Sequence, residues 1–232
     1  PDSKSHLDFI ANAATHAAPA MRAALLDEFE QLLRQHPQRN ELRLGQAILL
    51  QEEHPEQALS LLQHMPGESS IPALALQARL LQQLDQPEQS LIVQQQLLEQ
   101  QPDNNLIRLN YARQLISMNR LEEARDQFLL LLQSEPDNDD FRLGLAYLYM
   151  DLEAWQEALV YLQELLLRDN YVDTALYNSG RCLEALEQPQ QALEAYQAIA
   201  SGEYFLAARQ QQGNLLLQMN QPAQFTRLFA DA

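Results

Sequence analysis

The 232-residue sequence has one cysteine, Cys182, one lysine, Lys4, and six glycines. No apolar run approaches the roughly eighteen residues of a bilayer span. A lone cysteine excludes an internal disulfide and leaves the redox compartment unreadable. The opening PDSKSHLDF lacks a basic segment followed by an apolar one, so direct membrane insertion by this segment is not expected. Positive charge is scarce. Fifteen Lys and Arg face 32 Asp and Glu, and the formal net charge of −17 makes attraction to phosphate backbones or anionic lipid unfavourable. Nucleic acid is therefore not an expected partner. What the chain does have is 46% hydrophobic residues, ample for a buried core.

The groupings that carry catalysis are absent from the pattern. His6, His16, His36, His54 and His64 all fall in the first third, and none is paired at the i, i+4 spacing of a helical zinc site. His36 and His54 each precede proline and read as polar junction residues. The glycines form no phosphate-cradling turn. The run DNDD at 137–140 lacks the glycine and distal glutamate of a calcium loop, and reads as a turn and helix cap. Cys182 reads as a small buried hydrophobe. No enzyme activity, cofactor or metal is expected.

The sequence repeats itself instead. Ala78, Ala112, Ala146 and Gly180 recur with a period of 34, and Ser90, Ala124, Ala158 and Ala192 keep the same period twelve residues later. That spacing puts one small residue in each of two successive helices, where they cross closely. Pro102 and Pro136 close two units and are each followed by Asp-Asn, which stops one helix and can cap the next. Short breaks such as LDQPEQS and LEQPQQA place Pro87 and Pro189 in a first helical turn and force paired helices antiparallel. Leu121, Ala124, Phe128, Leu131 and Leu132 mark one apolar helix face. A single hairpin cannot cover such a face, so neighbours must stack.

The 34-residue period, the small residue in each helix, Phe128 or Tyr196 in the second helix and the closing proline resemble the tetratricopeptide repeat. The likeness is specific over 71–201. It departs from the family where an aromatic is often found early in the first helix, since Arg108 and Arg142 stand near that place. The expected fold is all-α, a right-handed α-solenoid of about seven antiparallel hairpins. Two divergent hairpins are expected in 1–70, four regular units in 71–204 and a terminal hairpin in 205–232, with Gly213 at its crossing and Phe225 replacing its second small residue. The absent initial methionine fits an excised or processed chain. The apolar ending, Phe225, Leu228 and Phe229, fits an array that continues or an edge that packs on another chain.

In the tetratricopeptide family the first helix of each unit lines a concave groove. The resemblance therefore places Arg79, Arg113, Tyr147 and Arg181 in it, one residue after each small position, with Asn110 and Asn178 three residues before two of the arginines. Inward asparagines in the family grip extended peptide backbone, and arginine adds a fork for carboxylate. Pairing of these arginines with glutamate between repeats is the structural alternative. Tyr147 and Tyr177 are the groove aromatics, while Tyr149, Trp155, Tyr161 and Tyr171 belong mostly to the core. The implied function is a noncatalytic adaptor that binds a protein or extended peptide. An oligomeric assembly scaffold and an accessory domain of a larger enzyme are the alternatives. In style, with glutamine abundant and arginine over lysine, the chain is similar to Gram-negative periplasmic outer-membrane lipoproteins that tether and activate carboxyl-terminal processing proteases. That similarity implies such a protease as partner and a lipid anchor upstream.

Overall fold

The computed structural model describes residues 19–230, with side chains from 21 to 228. Among these residues the chain forms thirteen α-helices and no strand. In order they are α1 (Pro19–Gln35), α2 (Asn40–Leu50), α3 (Pro55–Gln63), α4 (Ile71–Gln83), α5 (Pro87–Gln100), α6 (Asn105–Ser117) and α7 (Leu121–Ser134). There follow α8 (Asp139–Asp151), α9 (Trp155–Leu167), α10 (Val172–Ala185), α11 (Pro189–Gln197), α12 (Phe205–Gln218) and α13 (Pro222–Ala230). The start of the first expected hairpin, with His6 and His16, lies outside the described residues. None of the described helices is long and apolar enough to cross a membrane.

The helices divide into two compact units, Pro1–Gln114 and Leu115–Ala232. In the first, α2 to α5 share one core of Leu44, Ala47, Leu62, Leu74, Leu80, Leu81, Val93 and Leu97, with Leu26 of α1 packed against it. In the second, Ala146, Met150, Leu162, Leu165 and Cys182 fill the space between α8, α9 and α10. Leu193, Tyr196, Ile199 and Leu215 do the same for α11 and α12, with Phe225 and Leu228 of α13 alongside.

The two small-residue series sit where the helices of a pair cross. Ala112, Ala146, Ser90, Ala124, Ala158 and Ala192 are fully buried, and Ala78 is 5% exposed. Ser90 shows how close the crossing is, because its hydroxyl donates to the carbonyl of Ala78, its counterpart in the paired helix, at 2.9 Å. A β-carbon on Gly144 would stand 2.5 Å from the ring of Phe128, and one on Gly180 would stand 2.4 Å from that of Tyr196. The second helix's aromatic therefore occupies the space that glycine vacates.

The four regular hairpin turns share one mechanism. Asp85, Asn119, Glu153 and Glu187, 34 residues apart, adopt left-handed φ of 56–57°. The next amide then reaches back to an exposed helix carbonyl: Gln86 to Leu81, Arg120 to Leu115, Ala154 to Tyr149 and Gln188 to Leu183, at 2.8–2.9 Å. This 6→1 bond terminates the first helix and turns the chain. Proline then opens the next helix at Pro55, Pro87 and Pro189, where the missing N–H costs nothing.

The departure at Arg108 and Arg142 has a structural reason. Arg43, Arg108 and Arg142 each donate Nη2 to the carbonyl of the proline six residues earlier, Pro37, Pro102 and Pro136, at 2.5–2.7 Å. An arginine thus secures the junction between units where the family often packs a ring. Arg142 also binds Glu164 at 2.7 Å and Asp139, and the second carboxyl oxygen of Asp139 accepts from Asn170. Burial raises the pKa of Asp139, but Asn170 and the charges of Arg168 and Arg142 outweigh it and hold the carboxyl below its ordinary value. DNDD is a cap: the Asn138 side chain accepts from the amides of Asp140 and Phe141 at 3.1 and 3.2 Å.

Candidate functional site

The first helix of each hairpin carries the residues singled out from the sequence, and the two units hold them differently. In the first unit, Arg79 on α4 and Asn110 and Arg113 on α6 are exposed. Next to them the two helices are joined side by side, since Gln82 donates to Oε1 of buried Gln114 at 3.0 Å. Gln94 and Ser90 donate to the same oxygen, and the Gln114 amide donates to the carbonyl of Pro87 at 2.6 Å. This polar hub fixes the register of α4 and α6. None of Arg79, Asn110 and Arg113 has a hydrogen bond or ion pair among the described residues, so glutamate does not neutralise these two arginines there.

In the second unit the residues converge. Asn178 of α10 is 3% exposed, its amide donates to the carbonyl of Thr174 at 2.8 Å, and its oxygen accepts from Nη1 of Arg181 at 3.3 Å. It is thus no freely projecting asparagine, but one that braces Arg181, which remains exposed. Tyr147 of α8 is 39% exposed and lies within reach of Asn178, Arg181 and Tyr204. Burial, then Tyr204, raises its phenol pKa, while the Asn178 hydrogen bond and the Arg181 charge oppose the rise.

Tyr177 is partly buried in a sandwich of rings. Tyr204 stacks on it at 4.9 Å between centroids, and Tyr196 lies tilted at 5.6 Å. The hydroxyl of fully buried Tyr196 donates to Glu184 at 2.5 Å, which engages the carboxylate nearest Arg181 in the helix. Tyr204 lies between α11 and α12, at the unit-closing position that Pro102, Pro136 and Asn170 hold in the earlier repeats, so the period marks it as a junction residue and not as part of the first-helix series. The other aromatics are structural. Tyr149 and Tyr161 stack at 5.5 Å beside partly buried Trp155, whereas Tyr171, expected in the core, is 37% exposed and donates its hydroxyl to Asp140.

The patch in the second unit presents a guanidinium, phenol hydroxyls and ring edges on a fixed support, which suits hydrogen bonding and apolar anchorage of another chain. It holds no nucleophile paired with a base. Among the described residues no group of three or more His, Cys, Asp or Glu is placed to hold a metal ion. Cys182, on the buried side of α10, is fully enclosed, and burial pushes its thiol up to about 11. It therefore packs as a hydrophobe at neutral pH.

The family described as coatomer epsilon subunit matches residues 7–204, which take in α1 to α11 and the turn holding Tyr204. The chain belongs to the coatomer epsilon subunit family. Over 110 residues this family member is also 38% identical to a TPR repeat-containing protein of Pseudomonas aeruginosa, a stretch that is 47% of this chain and 19% of that protein. It thus spans about a fifth of that relative's length. Among solved structures, a chain of Naa15/Naa10 bound to HypK-THB superposes with a TM-score of 0.76 at 14% identity, covering 99% of this chain and 36% of that one. MamA superposes at 0.57 with 16% identity over 66% of this chain and 90% of its own. MamA 41-end from Desulfovibrio magneticus RS-1 gives 0.58 at 14% identity over 69% and 92%. At these identities the structures speak for the fold. The coatomer epsilon family member is therefore a TPR-like helical-repeat protein.

Proposed function

We propose that the chain is a noncatalytic protein-interaction scaffold that holds an extended segment of a partner on its first-helix side chains. Tyr147, Tyr177, Asn178 and Arg181 form one such surface, in the second unit, and Arg79, Asn110 and Arg113 form a separate one, in the first. The observation that carries this reading is the cluster of Tyr147, Tyr177 and Tyr204 around an arginine braced by a buried asparagine. Aromatic and arginine side chains pre-organised in this way are the residues that dominate protein interfaces. The TPR-repeat relative and the TPR-like neighbours support an interaction scaffold as the general class.

The partner proposed within that class is a carboxyl-terminal processing protease, which the scaffold tethers and activates at the periplasmic face of an outer membrane. Its support is the arginine-over-lysine, glutamine-rich style of the repeats together with a relative from a Gram-negative bacterium. The test is affinity capture from a Gram-negative periplasmic extract, followed by mass spectrometry. Wild-type protein is compared with a folded Tyr147→Ala/Arg181→Ala variant and a folded Arg79→Ala/Arg113→Ala variant. Capture of the protease by wild type and its loss from a variant is the expected result. Equal capture by all three moves binding off these helices, and capture of other proteins alone removes the protease from the proposal.

An assembly scaffold is the second reading, favoured by Leu206 and Leu217, which are 78% and 57% exposed on one side of α12. Light scattering decides it: a stable oligomer that Leu206→Asn/Leu217→Asn dissolves would establish that role.

A further inference from the structure

The arginines of this chain divide in a way that points to the charge of the bound segment. Acidic residues outnumber basic ones by 32 to 15, so any exposed arginine has carboxylates to choose from. Seven find them within the described residues: Arg22, Arg34, Arg39, Arg120, Arg125, Arg142 and Arg168 all form ion pairs. Arg43, Arg209 and Arg227 pair with no carboxylate among the described residues either, Arg43 donating to the carbonyl of Pro37 and Arg209 lying over the ring of Phe205. Arg79, Arg113 and Arg181 also have no carboxylate partner there, and they alone of the unpaired arginines share one register of the repeat. The acid nearest Arg181 in its own helix, Glu184, is engaged by Tyr196.

We infer that these three guanidinium groups are left unneutralised for the carboxylates of a partner, so that what each unit binds is an acidic segment, with Asp or Glu side chains facing Arg79 and Arg113 on the first unit and, separately, Arg181 on the second. The inference rests on the interaction-scaffold reading above and adds the chemistry of the ligand to it. At Arg181 the supporting geometry is the fullest. Asn178 takes one donor of the fork and fixes its direction, and the Tyr147 phenol lies within reach of the guanidinium. At Arg79 and Arg113 the polar hub at Gln114 holds the two helices in register while both forks stay free. The overall charge of −17 opposes an acidic ligand at long range. At physiological salt that repulsion is screened beyond roughly 8 Å, whereas a forked guanidinium–carboxylate contact persists at hydrogen-bonding distance.

The experiment uses two short fluorescein-labelled extended peptides, one with Asp and Glu at alternate positions and one with Asn and Gln in their place. Binding to the whole chain is measured by fluorescence anisotropy at physiological salt. The expected result is binding of the acidic peptide at least about tenfold tighter than its amide counterpart, since each charge-assisted contact is worth that much or more. That preference should fall stepwise in Arg79→Gln, Arg113→Gln and Arg181→Gln, each with a wild-type circular dichroism spectrum. Equal binding of both peptides, or of neither, overturns the acidic assignment. So does a preference that all three variants retain. The capture experiment stands apart from these outcomes: a partner captured through Tyr147 but held by a neutral segment preserves the scaffold and removes the acidic ligand.

Discussion

Gly180 faces Tyr196 with no room for a methyl group, because the ring atoms would lie 2.4–2.8 Å from a β-carbon. The ring cannot swing away freely: it is fully buried, packed on Tyr177 and hydrogen-bonded to Glu184. Gly180→Ala gains helix propensity but overpacks the crossing, and the net expectation is a loss of about 1–3 kcal/mol in urea unfolding. A variant as stable as wild type would show that the crossing is looser than its distances imply. The neighbouring Cys182 gives an alkaline signature. Its folded pKa of about 11 lies above the ordinary thiol value of 9.0 because burial disfavours thiolate. A raised folded pKa contributes stability that is complete below pH 9 and is lost as pH rises toward 11, roughly 3 kcal/mol in all. Urea midpoints measured from pH 8 to 11 in wild type and Cys182→Ala should diverge across that window. Tyr196, raised by burial and by its bond to Glu184, adds to the loss only above pH 10, so the two contributions separate.

At the scale of the helix pair, the turn is more constant than the residues that make it. Aspartate, asparagine and glutamate all occupy the left-handed position, and the side chains of the two glutamates make no hydrogen bond among the described residues. For a non-glycine residue that conformation costs on the order of 1 kcal/mol, which exceeds glycine's extra entropy when the native φ is positive. Glu153→Gly and Glu187→Gly should therefore each stabilise the chain by several tenths to about 1 kcal/mol in urea unfolding. A loss of stability would mean that the glutamate side chains contribute more than their backbone strain. The same turns set where α8 and α10 end, and Tyr147, Asn178 and Arg181 of these helices lie together.

At the scale of the molecule, the core within each of the two units is built from local clusters of neighbouring helices. Damage in such an array spreads chiefly to adjacent repeats. In Gly180→Ala, amide hydrogen exchange should accelerate first in α10 and α11 and then in α9 and α12, while α2 to α4 keep their protection. Acceleration of equal size in α2 to α4 would instead reveal one cooperative unit. Locality also suits a scaffold, because each unit can present its own arginines without a shared cavity.

Much of this was legible in the residues. The helical class follows from the 34-residue period, since two small residues twelve apart, a short turn and a closing proline admit only an antiparallel helix pair that must stack to bury its face. The register of Arg79, Arg113, Tyr147 and Arg181 follows from the same arithmetic. Three things were decided only in the fold. Periodicity puts Asn178 in the first-helix series, but burial of its amide against Thr174 makes it a brace for Arg181. Tyr204 enters the patch from the turn between α11 and α12, at a repeat position where the other units carry proline or asparagine, so the period gives no hint of an aromatic there. The charge of the arginine series was undecided because sequence shows which carboxylates exist and not which lie within reach. Distances alone show Arg142 paired and Arg79 and Arg113 left without a carboxylate among the described residues. Local spacing sets which face a side chain occupies, whereas its partners come from chain segments that only tertiary packing brings together.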